Sequence, residues 1–282
     1  MVQASIVIPT YNKLSRLKVC LKALEPQVTE EVQVIVVFDG CKQEVVEAFK
    51  KLDFTYEPTV VIYEKNIGRA AARNRGIAVA KGKIVIFIDD DRIPDAGFVQ
   101  KHIDGHKNRK CAILGSRGEI KVSEEQIEEL YLQPEYLVQA KEQAISENIR
   151  TFIKIKPYSH IRWMRFYTGN VSVEKEDLDR VQGFDENFTK RGNEDIDLGI
   201  RLQQIKVPFY VIDHAVNYHI LHESNYINKA KESIESLQYM STKYKKHPIL
   251  WCIIKVLIVD LMIRGTPKTK AESVKAFEKI DV

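Results

Sequence analysis

The stretch IVIFIDDDRIPD, Ile84–Asp95, runs five apolar residues straight into three consecutive carboxylates. Five apolar residues without polar alternation are too few for a buried helix and suit a strand covered on both faces, as in a parallel sheet. Three adjacent carboxylates repel one another unless a cation offsets them. Mg²⁺ or Mn²⁺ is the natural choice, because such hard ions take oxygen ligands and commonly bridge a few carboxylates to a phosphate-bearing substrate. The Asp89-x-Asp91 spacing lets two carboxylates reach one site while Asp90 turns elsewhere. A solvated acidic loop is the alternative, and the strongly apolar strand before it argues against that.

Outward from this stretch, Ser5–Ile8 and Val32–Phe38 repeat the buried-strand pattern, and Thr59–Tyr63 is a further strand. Amphipathic helical spacing over Leu14–Leu24 and Gln43–Leu52, and the small-residue stretch Gly68–Ala80, fill the intervals. The expectation is an α/β chain with a Rossmann-like, mostly parallel sheet flanked by helices, whose ligand crevice lies at the carboxyl ends of the strands. Past Asp91 the alternation weakens. Ser123–Ile149 reads as a long polar helix broken at Pro134, Lys154–Tyr167 as a basic-aromatic segment, Thr168–Val173 and Phe209–Ile212 as strands, Asp195–Leu202 as a helix and the tail from Asn228 as helices. With no repeat and no Gly/Ser linker, residues 1–115 and 116–225 are read as two halves of one domain, followed by a helical C-terminal extension, 226–282.

With 282 residues, the chain is long enough to bury a large core. Its 43 basic and 39 acidic residues nearly cancel, so charge gives no support for nucleic-acid binding. Cys20, Cys41, Cys111 and Cys252 are too scattered for a short-spaced zinc site and are read as reduced structural thiols. The opening MVQASIVIPT lacks the features of a secretion signal, so a cytoplasmic location is expected. Pro248–Ile263 is interrupted by Lys255 and Asp260 and falls short of the ~20 apolar residues a membrane span needs. Lysines and arginines flank Ile249–Ile263, which suits the inner face of an anionic membrane, while packing against the catalytic domain or against a second copy of the chain is the simpler reading.

Five further motifs carry chemistry. VIPTYN places a Pro9-Thr10-Tyr11-Asn12 turn where a dinucleotide enzyme has its glycine-rich loop, which argues against a nicotinamide or flavin oxidoreductase, and on its own the turn is equally read as punctuation between strand and helix. VVFDG ends the second strand at Asp39, where a carboxylate can accept the N3–H of a uracil ring or simply close an Asp-Gly turn. In NIGRAAARNRG, Asn66 stands at a strand edge, and Arg69 and Arg73 share one face of a helix that begins at Gly68, either as an anion site or as solvated surface. In GNEDIDLGIRL, Glu194, Asp195 and Asp197 are helix-start charges stabilised by the dipole, or one of them is a general base. AVNYHILHES places His219 and His222 just beyond a strand, where one imidazole can add to a carboxylate metal site.

The ordered set VIPTYN, VVFDG, NIGRAAARNRG, FIDDD, TGNVSVEKEDLDRVQGFDENF, GNEDIDLGIRL and YHILH resembles the inverting glycosyltransferases of family 2, which have the GT-A fold, over Ser5 to His222. The resemblance implies a donor pocket in which Pro9, Thr10 and Tyr11 line the nucleoside, Asp39 reads the base with Asn66 beside it, and Arg73 lies near the diphosphate. Asp89, Asp90 and Asp91 carry the DxD motif, Asp89 and Asp91 holding ribose and metal-diphosphate. Gly169 and Asn170 match the floor of the sugar pocket. Asp195, paired with Glu194, matches the catalytic base, and His219, with His222 as the competing choice, matches the metal-binding histidine of some members. The implied reaction is transfer of one sugar with inversion from a nucleotide-diphosphate donor, UDP-linked by preference, to an undetermined acceptor in glycan or glycoconjugate biosynthesis. The QxxRW motif and transmembrane helices of polymerising members are missing from the sequence, which points to single addition. The rival readings are a catalytically inactive nucleotide-sugar-binding scaffold and a sugar-1-phosphate nucleotidyltransferase. The latter needs a glycine-rich loop where PTYNKLSR stands.

Overall fold

In the computed structural model of the chain, residues 1–133, 136, 145–147, 156–189, 192–222 and 226–265 are described. The elements run β1 (Ala4–Thr10), α1 (Leu14–Leu24), β2 (Val32–Asp39), α2 (Gln43–Phe49), β3 (Thr59–Tyr63), α3 (Arg69–Val79), β4 (Ile84–Phe87), β5 (Arg92–Pro94), α4 (Phe98–Gly105), β6 (Ala112–Ile120) and α5 (Glu124–Leu132). They continue with β7 (Ile145–Glu147), β8 (Val171–Glu174), α6 (Lys175–Arg180), α7 (Glu194–Gln204), β9 (Phe209–Ile220), α8 (Tyr226–Lys243) and α9 (Pro248–Gly265). The chain packs into two units, Met1–Glu186 with Asp195–His222, and Asn187–Glu194 with Glu223–Val282.

The first unit holds one sheet in the order β3-β2-β1-β4-β8-β6-β9-β5, with β7 added alongside β6. The first four strands are parallel and linked by α1, α2 and α3. Ile6, Ile8, Val34, Val36, Phe38 and Ile86 pack with Leu17, Leu21 and Leu24 of α1 into one hydrophobic core. Pro9 sits in β1 at no cost to the ladder. It lies two residues past Val7, whose carbonyl takes the Ile88 N–H, so its missing N–H faces the side where β4 has already ended. Gly40 has φ +70° and sits against the Asn66 backbone so closely that a Cβ would overlap it. That contact brings the end of β2 to the loop that opens α3.

From β4 onward the sheet is mixed. β8 runs antiparallel to β4 and β6, β9 runs parallel to β6, and β5 returns antiparallel to β9. Several expectations are corrected here. Ser123–Ile149, read as helical on both sides of a break at Pro134, is not helical throughout. A capping box between Ser123 and Gln126 starts α5, which stops at Leu132, and Ile145–Glu147 is a strand. It pairs with Arg117–Glu119 of β6, a stretch of edge left open because β8 reaches only Ala112–Leu114. The break expected at Pro134 lies outside the described residues. Phe209–Ile212 is only the first third of β9, so His219 lies within a strand rather than beyond one. Directly after the carboxylates, Arg92–Pro94 form the short strand β5, which pairs with Asn217–His219. β8 begins at Val171, with Gly169 and Asn170 in the turn before it.

In the second unit, α8 packs along α9, and Ile254 and Ile258 of α9 are buried while Ile249, Trp251 and Val256 are exposed. No helix among the described residues is long and apolar enough to cross a membrane.

Candidate active site

The carboxyl ends of β1, β2 and β4 bring the expected donor residues of the first unit to one edge. Asp39 closes β2, and its two oxygens accept the backbone N–H groups of Ile67 (2.6 Å) and Gly68 (3.1 Å), while Asn66 Nδ2 donates to the Asp39 carbonyl at 3.1 Å. Burial pushes the Asp39 carboxyl above its usual range, against the pull of those two hydrogen bonds. The Asp-Gly turn and the base-reading role left open by the sequence therefore coexist, since each oxygen keeps a second lone pair. Tyr11 is 53 % exposed, and its ring is free to lie against a ligand.

The three carboxylates after β4 separate. Asp89 pairs with the almost wholly buried Arg73 (Nη2 to Oδ1, 2.9 Å). Burial would raise the Asp89 carboxyl, but Arg73, with help from Arg92 and Arg69, holds it below its ordinary value. Asp90 accepts the Thr10 hydroxyl at 2.8 Å and faces Lys13 at 3.4 Å. Its carboxyl is pushed up to about 6 by burial, partly offset by Lys13. Asp91 takes Lys13 Nζ at 2.9 Å and has His219 Nε2 at 3.7 Å and His222 Nδ1 at 3.9 Å. Burial acts upward on Asp91 too, but the neighbouring His219 and the charge and hydrogen bond of Lys13 outweigh it and hold the carboxyl well below the carboxylate range.

Ligand atoms of Asp91, His219 and His222 all lie within 4.8 Å of one another. One carboxylate and two imidazoles suit a divalent transition ion such as Mn²⁺ better than an all-oxygen ion such as Mg²⁺. Both candidate histidines belong to this cluster, whereas Asp89, turned onto Arg73, does not. The histidines arrive from the far side of the sheet. Pairing of β5 with β9 sets Arg92 opposite His219, and the Ile220 N–H donates to the Asp91 carbonyl at 2.9 Å, so strand pairing itself seats them beside Asp91.

Asp195 lies in the first turn of α7, where its Oδ1 accepts the Ile196 N–H at 2.8 Å. Glu194 is buried. Asp197, the third carboxylate of that motif, is fully buried and bound to Arg201 Nε at 2.8 Å, while Arg201 Nη1 also donates to the Val181 and Gly183 carbonyls. That commitment makes Asp197 a structural residue. Arg69 and His214 are exposed.

Sequence reasoning missed Lys13, although it directly follows the VIPTYN turn and is basic, which was a usable signal. It also missed Asn217, whose Nδ2 donates to the Gly169 carbonyl at 2.6 Å and ties β9 to the turn before β8. Nothing in local sequence marks that contact, because it spans 48 residues.

The fold is that of solved glycosyltransferases. The chain aligns with S. aureus TarS in complex with UDP-GlcNAc at a TM-score of 0.65 and 14% identity, covering 100% of this chain and 77% of that one. It aligns with the mannosyltransferase PcManGT from Pyrobaculum calidifontis in complex with GDP-Man and Mn²⁺ at 0.62 and 16%, covering 99% and 76%. At these identities the likeness shows the fold, the GT-A arrangement. Residues 5–167 match the family model described as Glycosyl transferase family 2, and residues 151–223 match one described as the N-terminal domain of galactosyltransferase. Because the first match takes in more than half of the chain, the chain belongs to glycosyl transferase family 2, a family of sugar-transferring enzymes.

Among relatives, it is 28% identical to the uncharacterized glycosyltransferase YfnE of Bacillus subtilis, over 93% of this chain and 74% of that protein. It is also 28% identical to the validoxylamine A glucosyltransferase of Streptomyces hygroscopicus subsp. jinggangensis, over 94% and 66%. To the chondroitin synthase of Escherichia coli it is 29% identical, over 76% and 34%. The chain thus spans between 34% and 74% of these relatives' lengths.

Proposed function

We propose that the chain transfers a single sugar from a nucleotide-diphosphate donor, UDP-linked by preference, to an acceptor hydroxyl, with inversion and with a divalent metal. The observation that carries this reading is the Asp91, His219 and His222 cluster at the carboxyl edge of the parallel sheet, next to Thr10 and Lys13. The residues fit a bound ion in number, chemistry and spacing, and Asp91, His219 and His222 would hold it. When bound, Mn²⁺ or Mg²⁺ would offset charge on the departing diphosphate.

The chain's own residues supply the rest. Asp39 and Tyr11 hold the base, Thr10 and Asp90 the nucleoside side of the pocket, and Arg73 steadies Asp89 beside the diphosphate. Asp195 takes the acceptor proton as the oxygen attacks the anomeric carbon and the bond to the diphosphate breaks on the opposite face, which inverts that centre. Residues 1–115 act on the donor and 116–225 on the acceptor. The structural neighbours carry UDP-GlcNAc in one case and GDP-Man in the other, so the choice of uridine rests on the Asp39 carboxylate.

A thermal-shift series with UDP, dTDP, GDP and ADP, each with and without Mn²⁺ or Mg²⁺, tests the reading, because a ligand selective for the native state raises its apparent stability. Metal-dependent stabilisation by UDP that disappears in Asp91→Ala is expected. Folded protein that responds to no diphosphate would sink the reading. Stabilisation by donor without turnover on any acceptor would favour the scaffold instead. The exposed Ile249, Trp251 and Val256 of α9, near Lys245, Lys246 and Lys255, suit an anionic membrane face or a second copy. Co-sedimentation with anionic vesicles, lost in Val256→Glu, is expected for the membrane; concentration-dependent dimers without it would assign the face to self-association.

A further inference from the structure

Two histidines that no step above uses form a buried chain of hydrogen bonds. His102 lies in the last turn of α4 and His106 directly follows that helix, while Asn170 in the turn before β8 and Ser172 within β8 face them. His102 Nδ1 lies 2.8 Å from Ser172 Oγ and its Nε2 lies 2.9 Å from Asn170 Oδ1, while His106 Nε2 lies 2.8 Å from the same hydroxyl.

The direction of every bond follows from one fixed end. Asn170 Nδ2 faces two carbonyls, Ser116 O at 2.7 Å and Ala215 O at 3.0 Å, so that atom is the amide NH₂ and Oδ1 is left to accept. His102 must then donate from Nε2, and in a neutral ring its Nδ1 accepts the Ser172 hydroxyl. Ser172 Oγ accepts in turn from His106 Nε2–H. Neutral rings suit the site, because burial lowers His102 to about 4 and His106 to about 3.

The fixed end also sits across a bulge in β9. The register against β6 is continuous from Ala112↔Phe209 to Gly115↔Ile212, then resumes at Ser116↔Val216, leaving Asp213, His214 and Ala215 unmatched. Had the first register continued, Glu119 would stand opposite Val216 and His219 would fall past the end of β6. Asn170 spans the bulge, one N–H to each strand, over a glycine. A Cβ on Gly115 would overlap the Asn170 amide. Downstream, β5 pairing and the Asn217 tether carry the shifted register to His219.

We infer that His102, backed by Ser172 and His106, is a positioning residue that locks Asn170 in the β9 bulge and thereby seats His219 beside Asp91. The inference rests on the metal reading only through one of its two tests.

His102→Phe keeps a ring against Phe98 and removes both nitrogens, whereas His102→Gln restores a donor near the Nε2 position. Mn²⁺ titration of the purified full chain by calorimetry, and hydrogen exchange over residues 213–220, read the effect. In His102→Phe, Mn²⁺ affinity is expected to fall by about tenfold, as for other groups that orient metal ligands, and exchange to quicken, with His102→Gln recovering most of both. Wild-type affinity and exchange in folded His102→Phe would overturn the inference, as would a Gln variant as impaired as Phe. If His102→Phe does not fold, Ser172→Ala, which cuts only the link to His106, carries the test with a smaller change in the same direction; no change there would overturn it. Wild type that binds no Mn²⁺ would remove the metal reading and leave the exchange arm to decide.

Discussion

The two sides of the sheet deliver side chains to the site differently. In the parallel half, strands stop and their last residues or the following turns carry the chemistry, as with Thr10 ending β1, Asp39 ending β2 and Asp89 to Asp91 after β4. In the mixed half the strand does not stop. β9 runs twelve residues and reaches the site by bulging in mid-course, so that His219 arrives from within a paired strand. Strand ends leave side chains some freedom to meet a ligand, whereas a bulged strand fixes them in advance through every bond of the ladder. The donor side should therefore adapt to its nucleotide, and the far side should be rigid before anything binds.

The sharpest way to break this comparison is to separate binding from turnover. Asp195→Asn is expected to lower kcat by about 10³-fold, within the usual range for a general base, and to leave donor-induced thermal stabilisation intact. Asp39→Asn is expected to do the reverse, weakening donor binding with a smaller effect on kcat. It should also cost about 1–3 kcal/mol of stability, because an NH₂ would then face the Ile67 or Gly68 N–H. Steady-state kinetics on both variants, with denaturant unfolding of the second, check the pair. An Asp195→Asn enzyme within tenfold of wild type would remove that residue from the base role, and an Asp39→Asn protein of unchanged stability would show that its turn bonds carry little.

The same contrast explains what could be read before the structure. β1, β2 and β4 are buried on both faces, and their apolar runs and loop signals are local, so strands and carboxyl-edge residues are legible from a few residues each. β5, β6 and β7 gave no such signal. β5 and β7 exist because an edge is available to pair with, and that edge is set by residues far along the chain. For the site, FIDDD raises the expectation of a cation, but that Asp89 turns to Arg73 while Asp91 lies with the histidines is not written in the local sequence. Nor does it choose between His219 and His222, and strand pairing brings both beside Asp91.

Rigidity on the far side also has a small pH signature. Above about pH 7.5, a unit past the ordinary histidine value, His102 and His106 are neutral in folded and unfolded chains alike and contribute almost no pH dependence. Below it the unfolded chain takes up protons that the folded chain refuses until the pH passes about 4 at His102 and about 3 at His106. Burial is the chief cause at both, and the charges of Lys83 and Arg109 add to it at His106. Because the unfolded state then binds more protons, stability falls as pH falls through this window. Each ring contributes at most about 1.4 kcal/mol per pH unit. In His102→Gln one titrating ring is gone, so the loss between pH 6.5 and 5.5 should shrink by about 1 kcal/mol. Denaturant unfolding of wild type and variant across that range measures the difference in slope directly. Parallel slopes would mean that His102 exchanges protons in the folded state, and the one-way hydrogen-bond chain from His106 to Asn170 could not then hold.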